Sequence, residues 1–492
     1  QAPVAASGYS SQAFNPHFPH TTRKTETKTC TQCHLSGDRN NNAAMAQLLL
    51  LGTNFVNFVG FNVWLGLEDA VSAVQVTEWD EPQAVIGSYL QRYAYPDNYR
   101  AHQDNDGILE HEHHHKAGAA SCVQLRGEYL YTAEGVDGVR VYDVANVANK
   151  GFSQRIVGAP FSPLGHDSHL PSNDASCIAL PTNQPIYPPR NQGELMRTEN
   201  QEQPFHPIYN YAVISDRTEG LILVDINTFS DGDLNNNVLA RTLTWDGAGA
   251  LAGARHVTLG GYYAYVMAER GLVIVNLDKP LEPEISAILP LDGGYASALQ
   301  FRYLFVTDST GMRVVDVTNP GNPVLVEGAG VSLREARKLY VARTYVYVAA
   351  GRDGLAIIDA WNPEQPRLLT MFDAGGQIVD AHDVIAASTN ASLFAYLADG
   401  KGGLKVLQLT SPESQPNFYG FSPEPKPELI ATYPTRSAAL SLSKGLDRDR
   451  GVDETGGQIA VFGRRGSRPL NRQEMEALYL DAEGNPWYVD DE

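Results

Sequence analysis

Tyr303-Leu304-Phe305-Val306-Thr307-Asp308 runs into Gly311-Met312-Arg313-Val314-Val315-Asp316-Val317, and then into Asn319-Pro320-Gly321-Asn322-Pro323-Val324-Leu325-Val326. Each run is short, rich in β-branched and aromatic residues, and bounded by Gly, Pro, Asn or Asp. That is the pattern of strands joined by tight turns. The middle run recurs as Gly138-Val139-Arg140-Val141-Tyr142-Asp143-Val144, Gly220-Leu221-Ile222-Leu223-Val224-Asp225-Ile226 and Gly271-Leu272-Val273-Ile274-Val275-Asn276-Leu277. It recurs again as Gly354-Leu355-Ala356-Ile357-Ile358-Asp359-Ala360 and Gly403-Leu404-Lys405-Val406-Leu407-Gln408-Leu409. With a degenerate copy at 73–77 the count is seven. The steps from 271 to 311 and from 311 to 354 are 40 and 43 residues, the length of one four-stranded blade. The expected fold is therefore all-β, a seven-bladed β-propeller, whose closed ring leaves no long sheet edge exposed.

Outward from the repeats, residues 53–410 are expected to form the propeller, with insertions at about 91–117 and 158–208. The first blade is read from the apolar run at 55–64, the run at 73–78 and a third strand at 81–87. Residues 411–492 are expected to be a C-terminal wrap, with a ring-closing strand at 457–463 and a short helix at 471–480. Residues 1–52 form an N-terminal arm. Within it, Asn40-Asn41-Asn42 caps an Ala- and Leu-rich run that Gly52 stops, which predicts a short helix over 43–51.

The repeated strand resembles that of the LVIVD-repeat family over residues 52 to about 410. That resemblance implies a propeller scaffold and leaves the activity open.

The arm carries the chain's most specific chemical signature, Cys30-Thr31-Gln32-Cys33-His34. Two thiols at this spacing can each add across one porphyrin vinyl group, and the adjacent imidazole can reach the iron, so the motif reads as a haem c attachment site. Cys30 and Cys33 would be the thioethers and His34 the proximal axial ligand. Zinc is the main rival, but it needs a second ligand pair. A thioredoxin-like dithiol is another, but nothing before Cys30 reads as a strand. A haem motif ahead of LVIVD-type blades, with Val76-Thr77-Glu78 and Arg126-Gly127-Glu128-Tyr129-Leu130-Tyr131-Thr132, resembles a group of exported bacterial cytochrome-like proteins. That likeness implies electron transfer without a substrate.

Candidates for the distal haem ligand are His113, His114, His115 and His111, from the run His111-Glu112-His113-His114-His115 in the first insertion. The same run is a candidate for a separate copper or zinc site, or it is a solvated loop. Met45, His17, His20 and His206 are weaker candidates. His206, His256 and His382 lie near strand starts, where a side chain could face the propeller axis.

Net charge is −20, from 37 basic and 57 acidic residues, with no basic block. This argues against nucleic acid and anionic membranes as partners. No run reaches the roughly 18 apolar residues that a membrane-spanning helix needs. The chain begins with Gln1 and haem is attached outside the cytoplasm, so a cleaved secretory signal and a periplasmic or cell-surface location are expected. In that oxidising setting Cys122 and Cys177 are expected to pair. Three functions follow. The first is a monohaem cytochrome passing single electrons to redox partner proteins. The second is a haem-plus-metal oxidoreductase using the His111–His115 run. The third is a self-associating subunit of a cell-surface assembly.

Overall fold

The computed structural model describes residues 62–444, with short interruptions of which the longer are 148–155 and 159–167, and a few residues beyond 444. Among the described residues seven antiparallel sheets stand around one axis. Blade 2 starts with Cys122–Arg126, blade 3 with Ala175–Ala179, blade 4 with His256–Gly260 and blade 5 with Ala296–Gln300. Blades 6 and 7 start with Leu339–Ala342 and Asp383–Ser388. These are the innermost strands, and each neighbours the next around the ring. The innermost strand of blade 1 is Ala439–Lys444, which pairs with Asn62–Leu67. The first and last strands of the span 62–444 therefore share one sheet, and that pairing closes the ring.

The repeat that decides the fold is the third strand of each blade: Val139–Asp143, Gly220–Asp225, Gly271–Asn276, Gly311–Asp316, Leu355–Asp359 and Leu404–Thr410. Its residues are almost all buried because both faces meet neighbouring blades, so apolar residues run continuously instead of alternating. The glycine ahead of it is required. Gly311 and Gly403 have φ of +134° and +76°, and a Cβ on either would strike a backbone carbonyl of the outermost strand. The aspartate that ends the strand turns the chain. Asp316 Oδ1 accepts from the Thr318 N–H at 2.9 Å, and Asp225 and Asp359 do the same two residues on. The repeat's polar letters are thus structural.

Three expectations are corrected. Of residues 81–87, the described ones, 84–87, make a single bridge, from Val85 to Thr77, and supply no strand to blade 1. Its third strand is Ala70–Gln75 and its outermost is Glu112–Lys116, within the span expected as an insertion. Helices at Tyr89–Ala94 and Pro96–Asp104 fill the rest of that span, and His102 Nε2 bonds the Ile430 carbonyl of blade 7 at 2.8 Å. The expected insertion at 158–208 holds the innermost strand of blade 3. The propeller also continues past residue 410, because Glu428–Tyr433 completes blade 7 and Ala439–Lys444 takes the ring-closing place assigned to 457–463.

Cys122 and Cys177 form a disulfide that stitches the innermost strands of blades 2 and 3. Among the described residues no helix is long and apolar enough to cross a membrane. Residues 1–61, including Cys30, Cys33, His34, Met45, His17, His20 and the helix expected over 43–51, lie outside the described residues, as do 457–463 and 471–480.

Candidate functional site

Two polar clusters stand out, one on the axis and one on the outer edge of blade 1. On the axis, the innermost strands are tied by side chains. Ser121 Oγ donates to the Ser176 carbonyl, Ser176 Oγ to that of Ala254, and Thr258 Oγ1 to that of Ser297. Lys338 Nζ donates to Asp383 Oδ2 at 3.0 Å and, across the channel, to the Ser121 carbonyl at 2.7 Å. Asp383 Oδ2 also accepts from the Leu442 N–H, and its Oδ1 from the Val384 N–H. One lysine and one aspartate therefore bind blades 6, 7, 1 and 2 together. Every oxygen of that carboxylate is engaged, so the pair acts as a brace. His256 lines the same channel and accepts from the Ser297 N–H through Nδ1 at 3.4 Å. Burial, with Lys338 nearby, pushes its pKa down to about 3, so it is neutral at pH 7.

The histidine run is the outermost strand of blade 1, paired with the third strand in the register Val71↔His115, Ser72↔His114, Ala73↔His113 and Val74↔Glu112. Strand alternation splits it into two faces. Ala73 and Val71 belong to the core shared with blade 2, and His113 and His115 share that face. The His115 ring lies 5.3 Å from that of Tyr142 of blade 2, and the pocket beside it also contains Arg140 and Gly158. Burial first, then the neighbouring His114, holds His115 below the usual histidine range.

Glu112 and His114 occupy the other face, toward blade 7. Ser72 Oγ donates to Glu112 Oε1 at 2.6 Å, and His114 Nδ1 lies 3.1 Å from the same Ser72 oxygen. Tyr433 Oη donates to Glu112 Oε2 at 2.6 Å, and Arg436 Nε is 3.6 Å from that oxygen. Burial pushes the Glu112 pKa up, but the bonds from Ser72 and Tyr433 outweigh it and hold the carboxyl below its ordinary value.

Within the strand His114 therefore faces away from His113 and His115, and the three imidazoles do not converge. Among the described residues no three His, Cys, Asp or Glu side chains are grouped to hold a metal ion, so the separate copper or zinc site gains no support here. His206 does not face the axis. It caps the turn at Pro207–Asn210, with Nδ1 accepting from the Ile208 N–H and Nε2 3.2 Å from Asp278. His382 is bonded to Asp380 at 3.0 Å beside the innermost strand of blade 7, and of the three only His256 lines the channel. Sequence reasoning had no signal for the Lys338–Asp383 brace or for Ser72 and Tyr433, whose partners are remote in sequence.

Seven radial sheets closed by a strand from the far end of the chain define a β-propeller. More particularly, it carries LVIVD repeats: the sequence profile of the LVIVD repeat matches residues 117–156, 209–234, 253–283, 293–329 and 333–374, in blades 2 to 6. No curated protein matches the chain significantly. Among solved structures, it is similar to the periplasmic gluconolactonase PpgL of Pseudomonas aeruginosa (9% identity, 78% of this chain and 99% of that one, TM-score 0.49). It is also similar to a protein from Lactobacillus plantarum (9%, 77% and 98%, 0.45) and to the Cps50 (Swd1) β-propeller domain of Myceliophteria thermophila (13%, 71% and 97%, 0.41).

Proposed function

We propose that this chain is an exported monohaem c-type cytochrome-like protein that carries single electrons, with the propeller as its scaffold. The observation that carries the reading is Cys30-Thr31-Gln32-Cys33-His34 in a chain of four cysteines whose other two are bridged to each other. A four-thiolate zinc site would need Cys122 and Cys177, and their disulfide removes them. That bridge also suits an oxidising compartment, where covalent haem proteins mature.

The donor set fits the group. Cys30 and Cys33 would each supply a sulfur for a thioether to a porphyrin vinyl carbon, and His34 would bind the iron from the proximal side. Bound haem supplies a one-electron Fe(III)/Fe(II) couple. A second imidazole, for which the histidines at 111–115 are candidates, would add to the iron's protein ligands and suit electron transfer over catalysis. The acidic surface, at a net charge of −20, favours basic redox partners in the periplasm or at the cell surface. Cys30→Ser with Cys33→Ser should abolish covalent haem while the propeller's circular dichroism persists. Loss of zinc instead, at one ion per chain, would overturn the proposal.

A further inference from the structure

We propose that the axial channel binds a small uncharged carbonyl compound, whose oxygen accepts from His256 and Lys338 while its apolar body lies along Leu259, Leu299 and Val341. The site is independent of the haem reading.

The innermost strands enclose a cavity of about 250 Å³, lined by His256 and Lys338 and by Leu259, Leu299, Val341 and Ile385 among others. A few polar groups set in apolar walls is the usual make-up of a small-molecule site, and this volume lies below the range that drug-sized ligands fill.

Two hydrogen-bond donors in the cavity are unspent. A backbone N–H can only donate, so His256 Nδ1, 3.4 Å from the Ser297 nitrogen, is the acceptor of that bond. Burial, with Lys338 nearby, keeps the ring neutral, and its one proton therefore sits on Nε2. Among the described residues nothing accepts from that Nε2–H, because the Ser297 bond is the only one the ring makes. Lys338 has three N–H bonds and spends two of them, on Asp383 and on the Ser121 carbonyl.

The acceptors beside these donors are already engaged. Asp383 takes Lys338 and the N–H groups of Val384 and Leu442. The Ser297 carbonyl takes the Thr258 hydroxyl, and the Ser121 carbonyl takes Lys338. The ligand atom that fits accepts two hydrogen bonds and brings no proton of its own, which is a carbonyl oxygen and not a hydroxyl. Charge then separates a ketone, ester or amide from a carboxylate. Lys338 is balanced by Asp383 at 3.0 Å and the imidazole is neutral, so no net positive charge offsets the cost of desolvating an anion. The chain's net charge of −20 adds to that cost.

The test uses the full chain with ¹⁵N-labelled histidine. Long-range ¹H–¹⁵N spectra read which ring nitrogen of His256 carries the proton, and His256→Phe assigns the signal. In the free protein Nε2 should be protonated. Hexan-2-one should give saturation transfer and a saturable shift of the His256 Nε2 signal. Hexanoate and hexan-2-ol, of matching size, should bind at least tenfold more weakly. His256→Phe should weaken hexan-2-one about five- to tenfold, the effect of one lost neutral hydrogen bond. Ala298→Phe fills the cavity from a half-buried wall position and keeps both donors, so it should abolish binding with unchanged circular dichroism. Val341→Phe, at another half-buried wall position, serves the same purpose if Ala298→Phe does not fold. No saturable shift with hexan-2-one, or full affinity in a folded wall variant, would overturn the site. Hexanoate or hexan-2-ol binding as tightly as the ketone would overturn the uncharged carbonyl as its ligand. Unchanged affinity in His256→Phe would overturn the role of the imidazole.

Discussion

Replacing Cys122 and Cys177 together by alanine tests how far the ring depends on its one covalent stitch. The two residues are 55 apart in sequence, and their Cα atoms are 4.9 Å apart in the structure. In the chain-entropy relation, a closed loop of that length removes about 14 cal/mol/K from the unfolded ensemble, or about 4 kcal/mol at 25 °C. Both side chains are buried, so alanine also leaves a small void at the junction of blades 2 and 3. Equilibrium urea unfolding of the oxidised wild type and the double variant should therefore differ by about 4 kcal/mol, and wild type unfolded in excess reductant should approach the variant. A difference below about 1 kcal/mol would refute the reasoning. It would mean that the hydrogen bond from Ser121 Oγ to the Ser176 carbonyl, with the surrounding packing, already holds the two innermost strands together without the bridge.

Gly311→Ala should destabilise by about 2–3 kcal/mol, read as a lowered urea midpoint, because alanine must adopt a left-handed φ and meets the backbone of the outermost strand. Asp316→Ala should cost about 2–4 kcal/mol by the same assay. It removes the Thr318 turn and one carboxylate of the buried Arg302, which also pairs with Glu364. His256 gives a pH dependence. Its folded pKa, about 3, lies below the unfolded value near 6.5, so below pH 6.5 the unfolded state gains a proton that the folded state refuses. Stability should fall on acidification by up to about 1.4 kcal/mol per pH unit from this group, and His256→Gln should be flatter than wild type between pH 6 and 4. Parallel slopes would contradict the burial of a neutral ring.

The third strands were legible because burial on both faces forces a continuous apolar run, and because Gly and Asp mark its ends. The ring-closing strand was not. In Ala439–Lys444 the residues Ser441 and Ser443 are buried, yet they are polar because their hydroxyls bond the Ala120 carbonyl and the Leu125 N–H of blade 2. Hydropathy alone reads such a strand as surface. The outermost strand of blade 1 was hidden for a different reason. Glu112–Lys116 is half-exposed and made of charged and imidazole side chains, so it reads as a loop. The run at 84–87 misled in the opposite sense, because Val85 and Ile86 are buried at a turn before the first helix and form no strand. The histidine run itself was visible, but its division into two faces depends on a register with Ser72 some 42 residues away.

The central claim is that Cys30 and Cys33 hold a haem, and the pyridine haemochrome spectrum of the purified chain after acid-acetone extraction tests it most directly. The account predicts one haem per chain that resists extraction and shows the band of a porphyrin with both vinyl groups saturated. Colourless protein after extraction, with the two thiols free to react with an alkylating reagent, would contradict it.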